Sequence, residues 1–229
     1  MNPEENVAIV PLEKQAGTLS VYELGPLRAP EELEKLEQTG QALALACRAV
    51  AASEAEWLQQ AMEQGGVYPP LDAAERFTRE HLAYVGLVAG EGEEASGHPT
   101  TIACYGWVTL TFQAMGESGW MFKAPIGDAY LYDFATLPQY RGRGYYPALL
   151  RYIVADLAKQ DIGRAWIGTA PGNDVSARSI ARAGFQKVAD VTAAWNKLEQ
   201  RVVFDLLPIP GVSQELVESG RQSHVLVQP

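Results

Sequence analysis

Apolar and polar positions change period several times along this chain, and each change marks an element. Tyr130–Leu137 is an apolar run with Asp133 as its one charged member, and it stops at Pro138. A run of that length bounded by proline reads as a buried strand. From Ala148 the period becomes helical. Ala148, Leu149, Leu150, Ile153, Val154 and Leu157 share one face, while Arg151, Asp156, Lys159 and Gln160 face away. Pro147 is tolerated because it falls in the first turn, where its missing N–H has no helical partner. Gly163 ends the helix, and Ala165–Ala170 reads as a second strand. Strand, helix and strand at this spacing predict a right-handed βαβ unit with parallel strands. Pro171-Gly172 breaks the second strand. Asn173 then suits the N-cap of a short helix over Val175–Ala183, which Gly184 closes before Phe185 returns to the core.

Upstream, Thr18–Leu24 reads as a first strand. Pro30–Glu63 reads as a helical region of two helices broken near Ser53, which would cap the second. Glu31, Glu32 and Glu34 suit its first turn, and Leu33, Leu36, Leu43 and Leu45 supply a core stripe. Leu71–Glu80 reads as a short helix. Leu82–Ala89 and Thr101–Phe112 read as a hairpin around the acidic, glycine-containing loop Gly90–Pro99. Gln113–Gly127 reads as a connection. Gln186–Val191 and Arg201–Leu207 read as late strands joined by the linker Thr192–Gln200. No repeat or low-complexity linker divides the chain, so one domain over residues 1–229 is expected.

Composition narrows the function classes. With 47% hydrophobic residues the chain can bury a sizeable core, yet it has no apolar run long enough to span a bilayer. A formal net charge of -10 argues against nucleic acid as a partner. The acidic N-terminus carries no signal-peptide pattern, which predicts a cytoplasmic protein that binds no membrane. Cys47 and Cys104 are read as free thiols. His81, His98 and His224 lack ligand spacing and read as solvated or loop histidines, so no metal site is expected.

Against that acidic background, Arg141-Gly142-Arg143-Gly144 sits between the strand and the helix. Glycines there let backbone N–H groups approach a phosphate, and the helix dipole favours the anion. A turn that needs glycine merely to open the helix is the alternative. Nucleotide-triphosphate and dinucleotide loops fit worse, because the chain has no GxxxxGK[ST] and Pro147 stands at the third glycine of GxGxxG.

This loop resembles the acyl-CoA pyrophosphate loop of the GNAT N-acetyltransferase superfamily. Asn173, Ser176 and Gly184-Phe185 match that family's next element in register, and the likeness covers Tyr130–Val188, about a quarter of the chain. The resemblance implies an α/β fold with a mixed, mainly antiparallel central sheet flanked by helices. It implies acetyl-CoA as co-substrate and no metal, with the acyl-CoA-binding core at about residues 130–188. The acyl-CoA would lie between the two parallel strands, which splay apart in the family. The main chain of Ala135, Thr136 and Leu137 would then meet the pantetheine arm, with ordinary strand pairing as the alternative. Arg141, Gly142, Arg143, Gly144, Tyr145 and Tyr146 would hold the pyrophosphate. Asn173 and Ser176 would meet the pantetheine, or cap and line the helix only. The expected reaction is transfer of an acetyl group to a primary amine by direct attack in a ternary complex. The expected acceptor is a small-molecule amine or a peptide, and a homodimer is admitted. A non-catalytic acyl-CoA-binding module is the other reading.

Two positions depart from the pattern. Tyr146 replaces a small residue, so its ring must turn away from the pyrophosphate. Ile180 stands seven residues after Asn173, where the family often carries a tyrosine that protonates the leaving thiolate. Asp133, if buried beside the acyl group, is the candidate base. Its alternative role is a structural acid paired with an arginine or a backbone N–H.

Overall fold

The computed structural model describes residues 19–25, 43–66, 72–89, 101–115, 120–123, 126–196 and 201–208. Ten strands are seen among them: β1 Leu19–Leu24, β2 Ala46–Val50, β3 Leu82–Val88, β4 Thr101–Thr109, β5 Phe112–Met115, β6 Trp120–Lys123, β7 Asp128–Thr136, β8 Arg164–Thr169, β9 Gln186–Asn196 and β10 Arg201–Pro208. Four helices accompany them: α1 Ala55–Gly65, α2 Ala73–Thr78, α3 Tyr145–Lys159 and α4 Asp174–Arg182. Eight strands form one sheet in the order β10-β9-β1-β8-β7-β4-β3-β2, and β5 pairs with β6 separately. Within the large sheet only β7 and β8 run parallel. They flank α3, as the βαβ reading requires.

Both faces of the sheet are covered, and strand alternation sorts the core into two. On one face Leu58 and Met62 of α1 pack with Trp107, Tyr130, Tyr132 and Trp166. On the other, Leu149, Leu150, Ile153 and Leu157 of α3 pack with Leu131 and Ile167. Each fully buried side chain of this size is worth about 1.5–3 kcal/mol. Glycine caps and acidic caps set the helix ends. Gly66, at φ +73, closes α1, and the Asp72 carboxylate accepts from Glu75 N at 2.7 Å to open α2.

Several expectations are corrected. Ala46–Val50, read as helix, is an edge strand paired with β3. Its alanine-rich sequence favours helix locally, but pairing with β3 prevails. Ser53 does not cap the next helix. A short 3-10 turn precedes α1, and the Glu54 carboxylate accepts from Ala51 N at 3.0 Å and from Arg48. The 113–127 connection holds the β5–β6 hairpin. The 192–200 linker is strand as far as Asn196, in register with β10. Residues 30–42, and with them Glu31, Glu32, Glu34, Leu33 and Leu36, lie outside the described residues, as does the 90–99 loop. Among the described residues no helix is long and apolar enough to cross a membrane.

Candidate active site

The site begins where two parallel strands part. β7 and β8 pair from Asp128↔Arg164 to Leu131↔Ile167 and no further, although β7 runs on to Thr136 and β8 to Thr169. A bulge accompanies the parting. Trp107 faces Tyr132 and Tyr105 faces Ala135, which leaves Gly106 alone opposite both Asp133 and Phe134. Asp133 carries the bulge in the left-handed region, at φ +48. Leu137 N donates to Ala103 O at 2.9 Å, so alternation turns the main chain of Thr136 away from β4 to the open side. Thr136 O accepts from Arg141 Nε at 3.1 Å.

The loop below this opening is built for an anion. Gly142 and Gly144 have φ of +77 and +80, and a Cβ on Gly142 would meet nothing within 4 Å. Gly144 is the N-cap of α3 and offers no side chain to the first-turn N–H groups. Those donors and the positive end of the helix dipole remain for a ligand. Across the opening, Asn173 caps α4 by accepting from Ser176 N at 3.1 Å.

These elements enclose a cleft of about 510 Å³. Ala135, Thr136, Arg141, Gly142, Arg143, Gly144, Tyr145, Tyr146, Asn173 and Ser176 all line it, as do Arg178 and Arg182 of α4. No aspartate or glutamate does. Leu137, expected with them, is buried at 2% exposure and does not line the cleft; its N–H is used by β4. Tyr146 turns its ring across the cleft floor. The ring packs on Phe134, with centroids 5.3 Å apart, and the hydroxyl lies 3.4 Å from Ser176 Oγ. Burial pushes that phenol up to about 12, so it stays protonated at neutral pH.

Asp133 lies apart from the cleft lining. The bulge takes its side chain out of strand alternation, and it is 32% exposed rather than buried. Its Oδ2 accepts from Arg76 Nη2 at 2.5 Å. Arg76 is itself 1% exposed and stacks over Trp107 and Tyr132, at 5.0 and 5.1 Å. Beside it His81 is buried and shares a 2.5 Å hydrogen bond with the Tyr132 hydroxyl, which corrects the solvated-loop expectation for this histidine. His98 and His224 lie outside the described residues. Sequence reading missed Arg76 and His81 because their partners are 57 and 51 residues away.

Two further groups bear on chemistry. The Tyr105 hydroxyl is buried without a hydrogen-bond partner. It sits against Gly65 and Ala135, since a Cβ on Gly65 would come within 2.9 Å of it and 3.3 Å of Ala135 Cβ. Ile180 is fully buried in the core beneath α3. Cys47 and Cys104 are free, and burial pushes the Cys47 thiol up to about 12. Among the described residues no cluster of His, Cys, Asp or Glu could hold a metal ion.

The sequence profile of the acetyltransferase (GNAT) family matches residues 55–185, more than half of the chain and the stretch that carries every cleft-lining residue. The chain belongs to the GNAT family. Among solved structures, one with a TM-score of 0.50 shares the fold. A GNAT-family acetyltransferase from Colwellia psychrerythraea is 15% identical with a TM-score of 0.50, covering 84% of this chain and 56% of its own. A GNAT-family acetyltransferase from Novosphingobium aromaticivorans is 18% identical with a TM-score of 0.48, covering 81% of this chain and 69% of its own. The ribosomal-protein-S18-alanine N-acetyltransferase of Escherichia coli is 14% identical with a TM-score of 0.45, covering 74% and 97%. This GNAT chain thus spans little more than half the length of the Colwellia protein. The search of curated proteins finds no significant match.

Proposed function

We propose that this GNAT chain is an acetyl-CoA-dependent N-acetyltransferase that acetylates a primary amine by direct attack in a ternary complex. The observation that carries the reading is the meeting of the parted β7, the glycine loop and the α4 N-terminus in one cleft. The residues present fit a CoA ester. Two positive-φ glycines expose the loop main chain, and four arginines with no carboxylate line the walls. In this reading the loop and the first turn of α3 bind the diphosphate. The open main chain of Thr136 pairs with the pantetheine arm. Holding thioester and amine together supplies much of the rate. The acceptor is a small-molecule amine or a peptide, and the family resemblance admits a homodimer. No side chain of the cleft marks the acceptor more finely.

Proton traffic is assigned to Asp133 and solvent. Arg76 engages Asp133 Oδ2, and the partly exposed carboxylate, set apart from the cleft lining, takes the amine proton through water. The buried Ile180 favours a second reading, a non-catalytic acyl-CoA-binding module, because it removes one acid from the sulfur's side. Thermal unfolding with acetyl-CoA tests the shared part of both readings. Millimolar acetyl-CoA raises the melting temperature by binding only the folded state, and no shift at that concentration would contradict both. Thiol release on adding amines separates the two.

A further inference from the structure

The cleft holds more positive charge than a diphosphate needs. Arg141 and Arg143 rise from the glycine loop. Arg141 is turned back onto Thr136 O, and Arg143 onto Gln139 O at 3.3 Å and over the Tyr140 ring at 5.6 Å. Arg178 and Arg182 come instead from α4, four residues apart and so on one face of the helix. Both are exposed, both line the cleft, and among the described residues neither forms an ion pair. A chain of net charge -10 gathers four guanidinium groups here with no acid among the lining residues. Serving solubility would scatter these charges rather than converge them on one cavity.

We infer that Arg178 and Arg182 form a second phosphate site on the α4 wall, which holds a phosphomonoester borne by the same ligand whose diphosphate occupies the loop. This inference rests on the acetyl-CoA reading and deepens it: the phosphomonoester is the 3′-phosphate of the nucleotide. A phosphomonoester carries about 1.5–2 negative charges at neutral pH, and with the diphosphate it balances the four arginines. A planar guanidinium fork matches phosphate oxygens two at a time. The pair therefore acts as a specificity device, favouring CoA over its 3′-dephosphorylated form. The loop binds both forms alike.

The test is calorimetric titration of the intact chain with CoA and with dephospho-CoA, repeated on the double variant Arg178→Gln/Arg182→Gln. Charge-assisted hydrogen bonds of about 1.5–3 kcal/mol correspond to roughly tenfold to a hundredfold in affinity. The unmutated protein should prefer CoA by that factor. The double variant should lose that factor for CoA while its dephospho-CoA affinity stays within about threefold, and Arg178→Lys/Arg182→Lys should restore part of it. Both substitutions lie on an exposed face, so the ligand-free melting temperature should hold. Equal losses for both ligands, or none for CoA, would overturn the inference. Failure of the unmutated protein to bind either ligand would overturn the acetyl-CoA reading and this inference together.

Discussion

The ring of Phe134 fills the space that a side chain on Gly106 would need: a Cβ there would lie 2.0 Å from Phe134 Cε1. The two residues face each other across the bulge where β7 leaves its regular register with β4. Phe134 in turn packs on Tyr146, which reaches Ser176. The absence of a side chain on β4 thereby shapes the cleft lined by its neighbour β7.

Gly106→Ala should therefore act on both stability and ligand binding. Displacing a packed ring costs about 1–3 kcal/mol, readable as a lower urea midpoint. The acetyl-CoA-induced rise in melting temperature should also shrink. A loss of stability with the full ligand shift retained would mean that the bulge does not shape the cleft.

The glycine loop gives a sharper contrast. Gly144 sits at φ +80, where an L side chain is strained by about 1–3 kcal/mol. Gly144→Val should strain the loop, crowd the nest and abolish acetyl-CoA binding. Arg143→Ala should weaken binding only modestly, because the main chain supplies most contacts. Titration of the two variants checks this, and equal small effects would argue against a backbone nest.

Asp133→Asn should separate structure from chemistry. It leaves the buried Arg76 guanidinium with a weaker partner, at a cost of about 1–3 kcal/mol. Acetyl-CoA affinity should be kept, since Asp133 does not line the cleft. Turnover at neutral pH should fall by roughly tenfold to a thousandfold and recover as pH rises. An unchanged pH–rate profile would remove Asp133 as the base.

Tyr105→Phe should do the opposite to stability. The hydroxyl is buried and unpartnered, so deleting it removes a desolvation cost of about 1–3 kcal/mol. An equal or higher melting temperature is expected, and a lower one would show that the hydroxyl is satisfied in solution.

The sequence made β7, α3, β8 and α4 legible because their signals are local. The helical stripe of α3, the glycines at 142 and 144 and the Asn173 cap each act within a few residues. The bulge was not legible, because it exists only where Gly106 meets Phe134 from another strand. β2 was misread for the same reason: its alanines favour helix until β3 pairs with them. Asp133 stands out in the sequence as the one charge in an apolar run, but its partner Arg76 lies on a short helix 57 residues earlier and its exposure follows from a bulge. Arg178 and Arg182 carry no local sequence signal; only the fold brings them to the same cleft as the loop arginines.

Thiol release from acetyl-CoA across a panel of small amines and peptides, with the acetylated product weighed by mass spectrometry, tests the central claim most directly. The account predicts that at least one primary amine releases CoA thiol in step with an amide bearing one acetyl group. It also predicts that Gly144→Val abolishes both signals. Acetyl-CoA that stabilises the protein yet yields no amide with any amine would contradict the transferase reading and leave a binding module.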